Sequence, residues 1–264
     1  MVTAWFKRSS RFKLLAAIMT VALILTLAVK VSAQVQTSSS STSLSSKLEN
    51  AFSAPRGPGA PMPDNRDTGA TRGDECVPRD QRLPVALVPP PSKSGQTASE
   101  HPSVFWYMPR TNAKAAEFVL RDANVNDVYR VWYSLPKTTT GVVNPAGIKS
   151  LTIANPYPLE IGQEYHWQLA LICDPSVRGE DYVVDGFIKR VAPEPTLARR
   201  VQQATPEDRI ALYADAQLWY ETLATLVELR RDRPNDSNLQ EAWNTLLSVV
   251  GLEEIAQKTA NAKS

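Results

Sequence analysis

The sequence predicts an α+β protein in which a β-sandwich is followed by a small α-helical region. The first observation is an ordinary globular composition, with 43% hydrophobic and 21% charged residues in a chain of 264. Between residues 76 and 192, short segments rich in β-branched and aromatic residues alternate with turn formers, which is typical of strands. From Pro193 onward the apolar residues recur at helical spacing.

Residues 1–33 predict a Sec-type signal peptide. Four basic residues between positions 7 and 13 precede an apolar run over 14–29, and small side chains lead to a cleavage site after Ala33. An uncleaved anchor helix is the alternative, but the run would span about 24 Å against a hydrocarbon core of about 30 Å. We therefore expect a periplasmic or extracellular protein that contacts the membrane only if this segment is kept.

The net charge of the chain is +2, and five Lys and Arg residues precede position 34. The exported product would therefore be slightly acidic, with no cationic stripe to neutralise phosphates, which argues against a nucleic-acid partner. Residues 34–75 are rich in Ser, Thr, Pro and Gly, a composition that buries too little apolar area to offset its ordering entropy. We predict a disordered linker there.

Residues 76–192 form the predicted β-sandwich domain. Alternation is clearest in the segment 165–173, where Tyr165 and Trp167 lie on one face and His166 and Gln168 on the other. Turn formers separate the segments. The predicted strands are 104–107, 116–120, 128–135, 149–154, 165–173 and 182–191.

Leu159, Gly162 and Tyr165 have the spacing of a tyrosine corner, in which the phenol hydroxyl bonds to the backbone upstream. The pattern resembles that of immunoglobulin and fibronectin type III domains, so the predicted sandwich is of that kind. Cys76 and Cys173 are the two cysteines of the chain, and in an oxidising compartment they predict a disulfide. A metal site is the alternative, but two thiolates are too few ligands, so no metal is predicted.

Residues 193–264 form the predicted helical region. Thr205 and Pro206 mark a helix start, and a second helix ends at Pro234 before a third over 237–250. The hairpin resembles a tetratricopeptide unit at Tyr213, Leu226 and Pro234. A single unit leaves an apolar face, so we expect it to rest on the sandwich, with a partner's helix or a second copy as alternatives.

Several motifs together resemble an exported cyanobacterial family of unknown function, DUF928. The resemblance implies a cyanobacterial origin and an extracytoplasmic location, and it brings no assigned reaction, ligand or catalytic residue. The motifs are Cys76, Pro102–Tyr107, Glu117–Leu120, Val128–Arg130, Leu159–Trp167, Cys173–Pro175, Leu212–Ala214, Trp219–Tyr220 and Val250–Leu252.

No nucleophile elbow, zinc-protease helix, phosphate-binding loop or Cys-x-x-Cys motif occurs in the sequence, so no catalytic residue, enzymatic activity or cofactor is predicted. Our leading hypothesis is a non-enzymatic cell-envelope module that binds a protein partner. It predicts an exposed apolar groove near Trp219, Tyr220 and Trp243. The alternative is a carbohydrate-binding or carbohydrate-processing envelope protein, which predicts two carboxylates beside an open aromatic cleft.

Overall fold

The computed structural model describes residues 43–53, 76–89, 95–135, 144–154 and 156–260, and these residues form eight strands and six helices. The predicted signal peptide, with its cleavage site after Ala33, lies outside the described residues, as does most of the predicted linker. Mixed α and β content agrees with the predicted α+β class. Within 43–264, the sheets and helices form one compact unit.

Two sheets carry the strands. A three-stranded antiparallel sheet has the order β1-β3-β6, and a five-stranded sheet has the order β2-β8-β7-β4-β5, in which β2 pairs parallel with β8 and the other neighbours are antiparallel. All six predicted strands are confirmed to within two residues, whereas β1 and β2 were not predicted. The strands are β1 (Val85–Ala86), β2 (Gly95–Thr97), β3 (Ser103–Met108), β4 (Ala115–Arg121), β5 (Asp127–Ser134), β6 (Gly147–Thr152), β7 (Glu164–Ile172) and β8 (Tyr182–Arg190).

Burial alternates with period two on β7 and β8 of the five-stranded sheet, as the sequence predicts for the segment 165–173. On β7, Tyr165, Trp167 and Leu169 are buried while the residues between them are half-buried. The Trp167 ring stacks on Phe118 of β4 at a centroid distance of 6.0 Å, so one face of this sheet contributes to the core. The opposite face, called the outer face below, carries the residues at alternate positions.

The helices follow the sheets, except for the first. They are α1 (Leu44–Phe52), α2 (Pro195–Gln203), α3 (Pro206–Asp215), α4 (Trp219–Asp232), α5 (Ser237–Val249) and α6 (Glu253–Ala260). The predicted start of α3 is confirmed, because the Thr205 hydroxyl accepts a hydrogen bond from the backbone N–H of Asp208. In the part of the chain that the structure describes, every helix is too short or too polar to cross a bilayer.

Helix α1 corrects the prediction of a disordered linker over 34–75. Ser43 caps it by accepting a hydrogen bond from the backbone N–H of Ser46, and its apolar residues Leu48, Ala51 and Phe52 share one buried side. That side packs against α3 and α5. The average composition of the region is polar, but the apolar residues are placed at helical spacing, and tertiary packing stabilises a helix that the composition does not favour.

Helix α4 joins the helical layer to the sheets, as we expected of the hairpin. The indole N–H of Trp219 donates to the Leu87 carbonyl at 3.1 Å, and the Tyr220 hydroxyl donates to the Phe187 carbonyl at 2.8 Å. One carboxylate oxygen of Glu221 accepts three hydrogen bonds at the end of β2. The donors are the Thr97 hydroxyl and the backbone N–H groups of Ala98 and Ser99.

Replacing Gly186 with alanine should lower the free energy of unfolding by about 1–3 kcal/mol, because the core around β8 has no room for a methyl group. The added Cβ would lie 2.5 Å from Val88 Cγ1 and 2.8 Å from the indole nitrogen of Trp167. Gly179→Ala is the matched control, since a Cβ there meets nothing within 4 Å. Urea denaturation of both variants measures the difference, and equal midpoints would contradict the packing described.

Candidate functional site

The predicted partner-binding groove at Trp219, Tyr220 and Trp243 is not present, and that prediction is wrong. These side chains are 1%, 1% and 0% exposed, respectively. Trp219 and Tyr220 bond to the sheet layer, and Trp243 donates to the Thr259 hydroxyl at 3.0 Å beneath the guanidinium of Arg230. Their indole and phenol groups find partners inside the protein, so Trp219 and Tyr220 belong to the core between the helices and the sheets, and Trp243 belongs to the core among the helices.

Two other predicted features lie in the β region. Cys76 and Cys173 form the predicted disulfide, with both residues buried. The Tyr165 hydroxyl accepts a hydrogen bond from the backbone N–H of Glu160 at 3.0 Å, while Leu159 is buried and Gly162 has a φ of +87°. Glycine adopts that left-handed conformation without steric cost. These contacts fix the scaffold on which the exposed residues lie.

The outer face of the five-stranded sheet is the first candidate site. Strand pairing places Val183, Ala170, Glu117 and Trp132 in one row across β8, β7, β4 and β5. A second row, four residues further along β8, contains Phe187, His166, Arg121 and Asp127. Trp132, Val183 and Phe187 are 47%, 39% and 49% exposed. Large apolar side chains therefore lie exposed at opposite corners of these two rows.

A network of ion pairs surrounds Trp132. Glu117 accepts hydrogen bonds from Arg130 and, at 2.6 Å, from Arg178, whose guanidinium lies 5.6 Å from the centre of the Trp132 ring. Arg130 and Arg121 both pair with Asp127. The guanidinium groups and carboxylates thus satisfy one another and hold the surrounding side chains in fixed positions.

The side chain of Glu117 is mostly buried, with 11% accessible against 37% for Asp127. Burial raises the pKa of Glu117, but the hydrogen bonds from Arg178 and Arg130 outweigh burial and bring the pKa below its ordinary value of 4.5. Hydrogen bonds from Arg130 and Arg121 likewise lower the pKa of Asp127. The network is therefore fully charged at neutral pH.

We expect Glu117→Gln to lower the free energy of unfolding by about 2 kcal/mol at pH 7, because two charge-assisted hydrogen bonds weaken. A carboxyl whose pKa is lowered on folding stabilises the folded state above its unfolded pKa of about 4.5. That contribution disappears as the pH falls through the folded value. The difference in free energy of unfolding between wild type and variant, measured by urea denaturation, should therefore be smaller at pH 3 than at pH 7. Glu241→Gln, on an exposed part of α5, is the control and should change the free energy of unfolding little at either pH.

The second corner of the outer face is built on His166. Its Nε2 lies 2.6 Å from an Asp185 carboxylate oxygen, and its ring stacks on Phe187 with a centroid distance of 4.6 Å. These contacts orient the imidazole along the sheet and leave about half of the Phe187 side chain exposed. His101, the other histidine, lies 3.1 Å from the Ile153 carbonyl through its Nδ1.

A second candidate site is a cleft of about 560 Å³ beside the Tyr165 hydroxyl. Tyr157, 47% exposed, lies in its lining and contacts the Tyr129 ring edge-on at 5.5 Å. Glu100 and Glu160 also line the cleft, together with Arg190. The Arg190 guanidinium donates to the Leu159 carbonyl and lies 3.6 Å from the Glu100 carboxylate. Aromatic, anionic and cationic groups therefore surround one opening.

Neither site is defined by the sequence alone. The outward direction of either Trp132 or Tyr133 follows from strand alternation, but its position opposite Glu117 depends on the register between β4 and β5. Among the residues that the structure describes, no cluster of three or more His, Cys, Asp and Glu side chains is arranged to hold a metal ion.

Comparison with known proteins gives a family match over most of the chain. The family model described as Domain of Unknown Function (DUF928) matches residues 67–260. No curated protein matches the chain. A solved structure that matches is that of Astrotactin-2, described as a conserved vertebrate-specific and perforin-like membrane protein involved in neuronal development. The identity is 14% and the TM-score 0.26, over 69% of this chain and 37% of that chain, so the match spans little more than a third of Astrotactin-2. The extent of the family match shows that this chain belongs to the DUF928 family.

Proposed function

We propose that this protein is an exported, non-enzymatic module of the cell envelope that binds a protein partner through the outer face of its five-stranded sheet. The proposal includes a cyanobacterial origin and export by the Sec route to the periplasm or the extracellular space. The Cys76–Cys173 disulfide supports an oxidising compartment. The predicted signal sequence over 1–33 supports the route.

The exposure of Trp132 and Phe187 on one face of the sheet is the observation that carries the proposal. Aromatic side chains and arginine are enriched where protein interfaces gain most of their binding energy. The charged groups between the two rings are already paired with one another, so the apolar rings are what this face offers for further burial. A protein surface can cover both corners at once.

The scaffold belongs to the same proposal. We infer an immunoglobulin or fibronectin type III relationship for the sheets, supported by the hydrogen bond from Glu160 N–H to Tyr165 Oη. We infer a tetratricopeptide-like relationship for the α3–α4 hairpin, supported by the cap at Thr205 and the end of α4 before Pro234. Neither relationship brings a reaction with it.

A carbohydrate ligand is the second candidate, and the cleft lined by Tyr157, Glu100 and Glu160 is the observation that favours it. A tyrosine ring can stack on a sugar ring, and carboxylates accept hydrogen bonds from sugar hydroxyls. The two functions therefore use different residues, which makes them separable by mutation.

Cross-linking to an envelope fraction of the source organism tests the proposal. The wild type should form a specific protein adduct that the Trp132→Ala/Phe187→Ala variant loses and that the Tyr157→Ala variant keeps. Val125→Ala, at a side chain 74% exposed in the turn between β4 and β5, is the surface control. Retention of peptidoglycan or another glycan that only Tyr157→Ala abolishes would favour the second candidate. An adduct that the Trp132→Ala/Phe187→Ala variant still forms would overturn the first candidate.

A further inference from the structure

Helix α1 occupies a groove that belongs to a different part of the sequence. It packs between α3 and α5, where Leu48 is 0% and Phe52 1% exposed. The family match begins at residue 67, so α1 lies outside the matched domain and is connected to it through residues 53–66. The groove is thus formed by the domain, and its occupant comes from a separate segment of the chain.

The groove contacts both the apolar side and the C-terminal end of α1. The Phe52 ring meets Trp219 edge-on at a centroid distance of 5.1 Å. At the turn between α3 and α4, the Gln217 side-chain amide donates to the Ala51 carbonyl at 2.8 Å. The last carbonyls of a helix lack partners within the helix, so this bond recognises the place where α1 ends.

Gln217 lies in the turn that ends α3. Its φ is +60°, the left-handed conformation common just after a helix end, and the backbone N–H of Leu218 donates to the Tyr213 carbonyl at 2.9 Å, as in a Schellman motif. The end of α3 therefore holds the Gln217 side-chain amide beside the last turn of α1, where it bonds to the Ala51 carbonyl.

The stability of docked α1 depends on its connection to the domain. A helix of nine residues is marginal in water, so α1 forms when it docks and loses conformational entropy at that step. Connection through the chain raises its effective concentration at the groove. A second helix with the same side-chain pattern and greater length would compete with it directly.

We propose that the groove between α3 and α5 is a binding site for an amphipathic helix of a partner protein, with α1 as its internal competitor. The occupant carries a large apolar side chain, another four residues later, as Leu48 and Phe52 do, and ends beside Gln217. This site uses none of the outer-face residues. Its test therefore fails or succeeds independently of the function proposed above.

A fluorescent peptide with the sequence of residues 43–53 is the probe, added to the full chain. The Leu48→Asp/Phe52→Asp variant, in which α1 is released, should bind the peptide at least about tenfold more tightly than the wild type, because the internal competitor is gone. Adding Gln217→Gly, which keeps the left-handed backbone and removes the amide, should weaken that binding several-fold. A peptide with the same two aspartates should not bind.

A cleavable chain keeps the test independent of destabilising substitutions. A protease site inserted within 54–75 and cut after folding should release α1 on dilution and create peptide binding in the otherwise wild-type domain. Failure of the cut chain to bind the peptide would overturn the proposal. Equal peptide binding by wild type and variant would show that α1 does not compete. Light scattering that detects dimers in which two copies exchange α1 would contradict a separate partner protein. The occupant of the groove would then be a second copy of this chain.

Discussion

Reduction of the Cys76–Cys173 disulfide should lower the free energy of unfolding by about 4–5 kcal/mol. The bond closes a loop with a sequence separation of 97 residues, and cross-links that close long loops remove the most entropy from the unfolded chain. Domains are stable by only about 5–15 kcal/mol in total, so the reduced protein would be close to its limit of stability. Urea denaturation with and without a reductant measures the loss.

The Cys76→Ala/Cys173→Ala variant is the control for reduction. It should unfold at the urea concentration of the reduced wild type and should not respond to the reductant. Labelling with a thiol reagent under native conditions should find no reactive thiol in the oxidised wild type. A midpoint that reduction leaves unchanged would contradict the proposed stabilisation.

Trp219→Ala should lower the free energy of unfolding by about 3–5 kcal/mol, because it empties a fully enclosed site. The substitution also removes the hydrogen bond to the Leu87 carbonyl and the edge contact with Phe52. Trp219→Phe keeps much of the volume and loses the N–H, so we expect a smaller loss of about 1–2 kcal/mol. Thermal and urea denaturation distinguish the two variants.

Trp132→Ala is the matched control for Trp219→Ala. Its ring is 47% exposed and contacts Arg178, so the expected loss is about 1 kcal/mol or less. The pair separates the two roles of tryptophan in this protein: Trp219 stabilises the fold, and Trp132 is available for binding. Similar losses at both positions would contradict that assignment.

The long strands were predictable because their own side chains carry the information. Alternation in β7 identifies the strand and its buried face without reference to any other segment. Strands β1 and β2, of two and three residues, are too short to show alternation, and their pairing with β3 and β8 defines them. At the β4–β5 turn, Val125 has a φ of +64°, and the Asp122 carboxylate accepts hydrogen bonds from the backbone N–H groups of Asn124 and Asn126 on either side of it.

The candidate site was less predictable than the fold, because it depends on relations between segments. Spacing on α4 shows that Trp219 and Tyr220 belong to an amphipathic helix, but not that the sheets cover them. Helix α1 was not predicted for a similar reason: the burial of Leu48 and Phe52 depends on their packing against α3 and α5, which are distant in the sequence. The pairing of Glu117 with Arg178 joins residues from β4 and from the turn before β8.

The position of the disulfide has a mechanical consequence. A pull on the chain upstream of Cys76 passes through the sulfur atoms to the end of β7, the central strand of its sheet. The covalent load path bypasses the residues between the two cysteines, which include β1 to β7, because the disulfide connects Cys76 directly to Cys173. Helix α1 lies upstream of the bond and would be stripped from its groove first, so force on the N-terminal segment would open that groove while the sheets stay closed.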